Sequence, residues 1–192
     1  HWCGPQAVLE RFGGAAVHYP PGAFGQNNLE IAGRIVDHVR ELVPRGASVA
    51  EFYAGVGAIG LSLLERVARI RLNEVAPSSL AGLARGLESL AADDRAKIEV
   101  IDGPAGAHAA AAAGADVVIA DPPRKGLDAE LTAQLCNEPP QRFIYVSCGL
   151  DSLLADTERL TAGGRLRLRG LSAFNLMPYT THVETVACFE RA

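Results

Sequence analysis

From residue 29 onward the apolar positions switch repeatedly between two periods. Leu29, Ala32, Ile35, Val36, Val39 and Leu42 recur at helical spacing, and Pro44 and Gly46 end that segment. Residues 48–53 read as a strand, followed by a glycine-rich turn and a helix through about residue 66. Residues 68–74 form a second strand, and 78–90 a second helix with Pro77 near its start, where a missing N–H is tolerated. Three more apolar runs, 97–101, 116–120 and 142–147, read as strands. Helices over 105–113 and about 128–136 separate them, and the alanine-rich 109–113 belongs to the first of these. Such alternation implies βαβ crossovers and a mostly parallel α/β sheet. After residue 163 the pattern changes. Residues 165–169 alternate charged with apolar, and 182–190 read as a strand with no long helix between them, which predicts an antiparallel pair at one edge. No repeat or linker interrupts the chain, so it reads as one domain over 24–192 with residues 1–23 as a lead-in segment.

Composition narrows the picture. A chain of 192 residues, 48% hydrophobic, suits one domain with a sizeable core. No run of about 18 uninterrupted apolar residues occurs, so a membrane span is not expected. The chain starts at His1, Trp2 and Cys3 without an initiator methionine or signal pattern, and reads as a piece of a longer protein. Cys3, Cys136, Cys148 and Cys188 have no paired spacing, which predicts neither a metal site nor a disulfide framework and makes a cytoplasmic setting the expectation. The formal charge of −4 argues mildly against this piece gripping nucleic acid alone.

The candidate chemistry falls at strand ends. Glycines in residues 51–60 let the backbone turn tightly and approach a ligand, in the crevice where open α/β sheets bind them. A dinucleotide would fit a bare glycine turn. Glu51, just before the loop, suits a cationic amino-acid moiety better than a pyrophosphate, and Glu74 ends the next strand, where a carboxylate can accept ribose hydroxyls. Asp102 ends the third strand and is a candidate for facing adenine. These features favour S-adenosylmethionine over a nicotinamide dinucleotide. Farther on, Asp121-Pro122-Pro123-Arg124-Lys125-Gly126 is a loop stiffened by two prolines that presents Asp121 and Arg124. Cys148 sits between a strand end and a helix start, a position expected to favour thiolate. Glu184 enters the last strand. A thiol, a carboxylate and a polar group beside a methyl donor are what C5 methylation of a pyrimidine needs: the thiol adds to C6, C5 becomes nucleophilic, and a base removes the C5 proton.

At these residues the chain resembles the RNA 5-methyluridine methyltransferases over about residues 4 to 191. The matching motifs, in order, are Phe24-Gly25-Gln26-Asn27-Asn28, the Gly55/Gly57 loop, Asp121 to Gly126, Ser147-Cys148, and Pro178 through Glu184. The resemblance implies a Rossmann-like class I methyltransferase fold, a seven-stranded sheet with an antiparallel edge pair. It makes 24–192 the catalytic domain, lacking the family's N-terminal RNA-binding and central portions. It implies Cys148 as nucleophile, Glu184 as base and Asp121 near the uracil edge and the sulfonium. Gln26, Glu51, Tyr53, Gly55, Gly57, Glu74, Asp102 and Asp121 would hold S-adenosylmethionine, and Arg124 and His182 the RNA, an rRNA or tRNA. No metal is implied in this chain. The family continues Ser-Cys with Asn-Pro, whereas Gly149-Leu150 stand here. Methylation of cytosine C5, and a module that binds without catalysing, remain alternatives; amine methylation is disfavoured because Arg124, not an aromatic residue, follows Asp-Pro-Pro. Arg165, Arg167 and Arg169, spaced by two, would share one strand face and suit either phosphate or a solvated edge.

Overall fold

A computed structural model of the chain describes residues 4–192, so Cys3 lies outside the described residues. The lead-in segment holds an element that the hydrophobic pattern did not announce. Strands β1 (Val8–Phe12) and β2 (Ala15–Tyr19) form a hairpin in which Phe12 pairs with Ala15. Gly13 and Gly14 make the two-residue turn at φ 52° and 88°. Positive φ at both central residues is the turn whose twist matches paired strands, and glycine takes it without strain.

The remaining elements alternate. They are α1 (Leu29–Leu42), β3 (Ser48–Phe52), α2 (Ala58–Ser62), β4 (Arg69–Glu74), α3 (Pro77–Glu88), α4 (Ala92–Arg95) and β5 (Ile98–Asp102). After a 3₁₀ segment over Gly106–Ala112 come β6 (Val117–Ala120), α5 (Ala129–Asn137), β7 (Arg142–Ser147), α6 (Leu150–Ala162), β8 (Leu166–Phe174) and β9 (Glu184–Arg191). Every expected strand is present. The helix expected over 105–113 is instead the 3₁₀ segment, kinked at His108, and the one expected to run to residue 66 is the single short α2. In the 3₁₀ segment, short alanine and glycine side chains bring little apolar area to hold a regular helix.

The sheet order is β5-β4-β3-β6-β7-β9-β8, parallel from β5 through β7, with β9 antiparallel to both β7 and β8. Alternate residues of the central strands face opposite layers, as strand geometry requires. Val49, Ile70, Leu72, Val117, Ile119, Ile144 and Val186 pack under α1, α2, α3 and the hairpin. Ala50, Phe52, Val118, Ala120, Phe143, Tyr145 and Phe189 pack under α5 and α6. Both faces are covered, which accounts for the nearly continuous apolar runs of β6 and β7. Among the described residues no helix is long and apolar enough to cross a membrane.

The chain builds outward from β3 to β5, then returns to place β6 on the other side of β3. That reversal opens a crevice beyond the carboxyl ends of β3 and β6. At the far edge, the arginine stripe is broken. A bulge between Leu168 and Gly170 takes Arg169 out of the ladder, where it reaches Glu190 at 3.5 Å, while Arg165 donates to the Asn137 carbonyl.

The hairpin docks through a glycine. A Cβ on Gly82 of α3 would collide with the His18 carbonyl oxygen and approach Val56 Cγ1 within 2.8 Å. Gly82→Ala is therefore expected to destabilise the fold by about 1–3 kcal/mol, read as a lower denaturant midpoint with an unchanged slope.

Candidate active site

One cleft of about 680 Å³ lies at that crevice. Its floor begins where β3 ends. Tyr53 and Gly55 both take positive φ, 60° and 58°, so the chain leaves the strand in a left-handed turn. The Gly55 N–H donates to Glu74 Oε2 at 2.7 Å, tying the loop to the end of β4. Glu74 Oε1 also accepts from the Val75 and Ala76 N–H groups, at 2.8 and 2.7 Å. A carboxylate offers about four lone-pair sites, so three backbone donors leave one acceptor position open. Asn73 Nδ2 donates to the Ile101 and Gly103 carbonyls and fixes the next wall. Gly57 serves packing: a Cβ at its φ of 85° would sit 2.7 Å from Leu83 Cδ1.

Gln26 and Phe24 line the opposite rim, the latter 74% exposed. Asn28 holds this segment by capping α1, its Oδ1 accepting from the Ile31 N–H at 3.2 Å. Glu51 is 2% exposed, and its Oε2 has no hydrogen-bond partner.

The reactive groups come from three strand ends. Asp121 follows β6 directly, its N–H pointing to the Phe52 carbonyl at 3.4 Å. Cys148 follows β7. The antiparallel register pairs Ser147 with Thr185, and Thr185 Oγ1 donates to the Ser147 carbonyl at 3.0 Å. Continuing that register by one residue sets Glu184 against Cys148, and both line the cleft with Asp121 and Arg124. Three predicted residues stay outside its lining, Gly57 among them. Asp102 is exposed on the edge strand β5, paired with Glu74 in the ladder, and the wall there is Gly103, Pro104 and Ala105. His182 precedes β9, its N–H donating to Thr180 Oγ1.

The loop over residues 121–128 is pinned at its far end. Asp128 N–H donates to Tyr53 Oη at 3.1 Å, Lys125 Nζ meets Asp128 Oδ1 at 2.9 Å, and Leu127 N–H donates to Asp156 Oδ2 at 3.0 Å. Asn73, Asp128 and Asp156 carry no motif-level signal, since each is an ordinary polar residue until the fold gives it a partner.

Crowding sets the electrostatics. Burial, reinforced by the Glu184 charge, pushes the Asp121 carboxyl up to about 8. Burial pushes Glu184 up to about 7. Burial first, then Asp121 and Glu74, raises Glu51 well above the carboxylate range, opposed by the Gly60 N–H. Burial and contact with Asp128 raise the Tyr53 hydroxyl to about 12. The expected bias of Cys148 toward thiolate is not found. Burial raises the thiol and the Glu184 and Asp121 charges add to it, while Arg124 opposes them. Cys148 precedes Leu150, the first residue of α6, by two positions, outside the turn over which a helix end exerts its field. Among the described residues no group of three His, Cys, Asp or Glu side chains is placed to hold a metal ion.

The family model described as tRNA (Uracil-5-)-methyltransferase matches residues 110–192, the stretch carrying Asp121, Arg124, Cys148 and Glu184. The chain is 35% identical over 188 residues to an RNA methyltransferase of Protochlamydia amoebophila described as uncharacterized, covering 98% of this chain and 49% of that protein. It is 31% identical over 184 residues to the tRNA (uracil(54)-C(5))-methyltransferase of Pyrococcus abyssi, covering 96% and 43%. Over the matched stretches the chain is similar to the RNA (uracil-C5)-methyltransferases. A solved structure of Pyrococcus abyssi tRNA (uracil-54, C5)-methyltransferase in complex with S-adenosyl-L-homocysteine matches at a TM-score of 0.84 and 28% identity, over 97% of this chain and 45% of that one. The sheet is thus the Rossmann-like class I methyltransferase sheet that the resemblance implies. The chain spans about half the length of the curated relatives it matches.

A raised carboxyl disfavours the folded state wherever the unfolded chain ionises it first. For Asp121 that penalty begins above the ordinary value of 3.8, grows with pH, and is complete above about 8. Asp121→Asn removes it. The melting temperature of the variant should match wild type near pH 4 and exceed it by a few degrees at pH 8.5, roughly the shift that 1 kcal/mol gives a domain of this size, as differential scanning fluorimetry would show.

Proposed function

We propose that this chain transfers a methyl group from S-adenosylmethionine to C5 of a uridine in RNA through a covalent adduct at Cys148. The observation that carries the reading is the meeting of Cys148, Glu184, Asp121 and Arg124 from three separate strand ends in one cleft. The cleft also fits the methyl donor. Its volume lies within the range of cofactor pockets. Glu51 supplies a buried carboxyl oxygen without a partner, suited to an ammonium, and Glu74 keeps one acceptor position for a ribose hydroxyl. S-adenosylmethionine, when bound, supplies an electrophilic methyl group.

The rest is done by the chain. The Cys148 sulfur adds to C6 of the uracil, and the electron pair displaced from the 5,6 double bond makes C5 nucleophilic. Arg124 opposes the two carboxyls that hold the thiol protonated, so it favours the attacking thiolate. Asp121, substantially protonated at neutral pH, has a hydrogen to donate toward the uracil edge as charge develops there. Once C5 carries the methyl, Glu184 takes the C5 proton, the 5,6 double bond re-forms and the thiolate leaves. Gln26, Glu51, Tyr53, Gly55 and Glu74 hold the donor. An RNA of rRNA or tRNA type is the partner, and a portion beyond this chain assists its delivery.

Fluorine at C5 cannot depart as a proton does, so the adduct should accumulate. Intact-mass analysis after incubation with S-adenosylmethionine and a 5-fluorouridine RNA should show the chain plus RNA, mapped to Cys148 and lost in Cys148→Ser. An adduct that survives in Cys148→Ser, or one formed only with 5-fluorocytidine, would overturn the reading. Turnover should rise with pH through about 7, because Glu184 accepts a proton only when ionised.

A further inference from the structure

Asp156 lies in α6, 2% exposed and outside the cleft lining, and nothing in the reaction described above uses it. Both oxygens of its carboxylate nonetheless accept hydrogen bonds. Oδ2 accepts from Tyr145 Oη at 2.8 Å and from the Leu127 N–H at 3.0 Å, and Oδ1 accepts from Arg159 Nη1 at 3.2 Å. The first two donors come from the two pieces that carry the reactive groups. Leu127 closes the loop bearing Asp121 and Arg124. Tyr145 stands in β7 three residues before Cys148, and α6 itself starts two residues after it. Gly126, at φ 86°, lets the loop descend onto this carboxylate, and a Cβ there would sit 3.2 Å from Ser152 Cβ of the same helix.

An apolar side chain of similar volume would fill the space at lower desolvation cost. A carboxylate at that depth adds direction, because it fixes two donors from different elements on one oxygen. Asp121 is attached to the end of β6 and stays with the sheet, but Arg124 lies beyond two prolines and depends on the far anchor. We infer that Asp156 is a positioning residue: it locks the loop over residues 121–128 to the strand and helix that flank Cys148, and so holds Arg124 against the thiol. The inference rests on the reading of the cleft given above.

The chemistry of the acceptor makes a graded test. Asn at 156 can present its one oxygen to both Tyr145 and Leu127 and turn its NH₂ toward Arg159, whose side chain is 66% exposed and free to move. Ala presents nothing. Asp156→Ala is expected to slow adduct formation with the 5-fluorouridine RNA on the order of 100-fold, the loss that a displacement of about 1 Å produces. Affinity for S-adenosylhomocysteine should change less than about twofold, as for a group acting on the chemical step. Asp156→Asn should recover most of the rate. Iodoacetamide labelling of Cys148, mapped by peptide mass, should move to higher pH in Asp156→Ala because Arg124 no longer opposes the two carboxyls.

A wild-type labelling profile and adduct rate in Asp156→Ala would overturn the inference. So would a loss shared equally by cofactor affinity and adduct rate with the labelling profile unmoved, the mark of a purely structural residue. Should Asp156→Ala fail to fold, Tyr145→Phe decides, since it deletes one donor and keeps the ring. A slower adduct with later labelling supports the inference, and wild-type values overturn it. Should wild type form no adduct at all, the functional reading fails on its own, and the labelling profiles still decide whether Asp156 holds Arg124.

Discussion

Three carboxyl groups, Glu51, Asp121 and Glu184, are brought to one end of a largely apolar sheet, and their burial there, with repulsion added to it, sets the electrostatics of the cleft. Among the described residues no lysine or arginine is buried beside them; Arg124 is the guanidinium that faces the thiol, and it is exposed. The charge is relieved instead by retaining protons on Asp121 and Glu184. A cleft in that condition is tuned to receive positive charge. A sulfonium and an ammonium entering it would replace protons, so ligand binding and proton release are coupled by the same geometry.

The scaffold tolerates this crowding because backbone, not side-chain flexibility, sets the positions. Parallel strands β3, β4, β6 and β7 end at one level, and β9, running the other way, begins there. Glu184 reaches Cys148 because β9 lies beside β7 and runs antiparallel to it. An antiparallel last strand is thus the means by which a carboxylate from the end of the chain joins groups that belong to earlier crossovers. Loops then need few anchors, and each anchor is a side-chain acceptor for backbone N–H groups: Glu74 for the glycine loop, Tyr53 and Asp156 for the Asp-Pro-Pro loop.

Much of this was legible from residue pattern alone. Strand runs such as 142–147 are unambiguous because burial on both faces removes polar residues for several positions in succession. Placement of Cys148, Glu184, Asp121 and Glu74 at strand ends followed from the same boundaries. What escaped detection has physical reasons. The β1–β2 hairpin carries its own signal in Gly13-Gly14, but Glu10, Arg11 and His18 dilute the alternation around it. Gly57 reads from the motif as a ligand glycine, and the fold adds a packing constraint that the motif does not show, since Leu83 across the layer leaves no room for a Cβ. Asp102 ends its strand as expected, yet β5 is the sheet edge, and a turn acid there faces solvent. The field expected at Cys148 depended on where α6 starts, a boundary that spacing does not fix to one residue.

The bulge at Arg169 has a consequence for the behaviour of many copies of the chain at once. β8 is nine residues long and forms the outer edge of the sheet, with Leu168 and Leu171 both exposed. A straight strand of that length with apolar side chains would present an unbroken row of N–H and C=O groups to any passing strand, including its own counterpart in a second molecule. The extra residue kinks the row at its middle and carries a guanidinium pinned to Glu190. Neither half is then long enough to template a continuous ladder. The irregularity that breaks the arginine stripe thus also interrupts the edge at which a further strand would otherwise add.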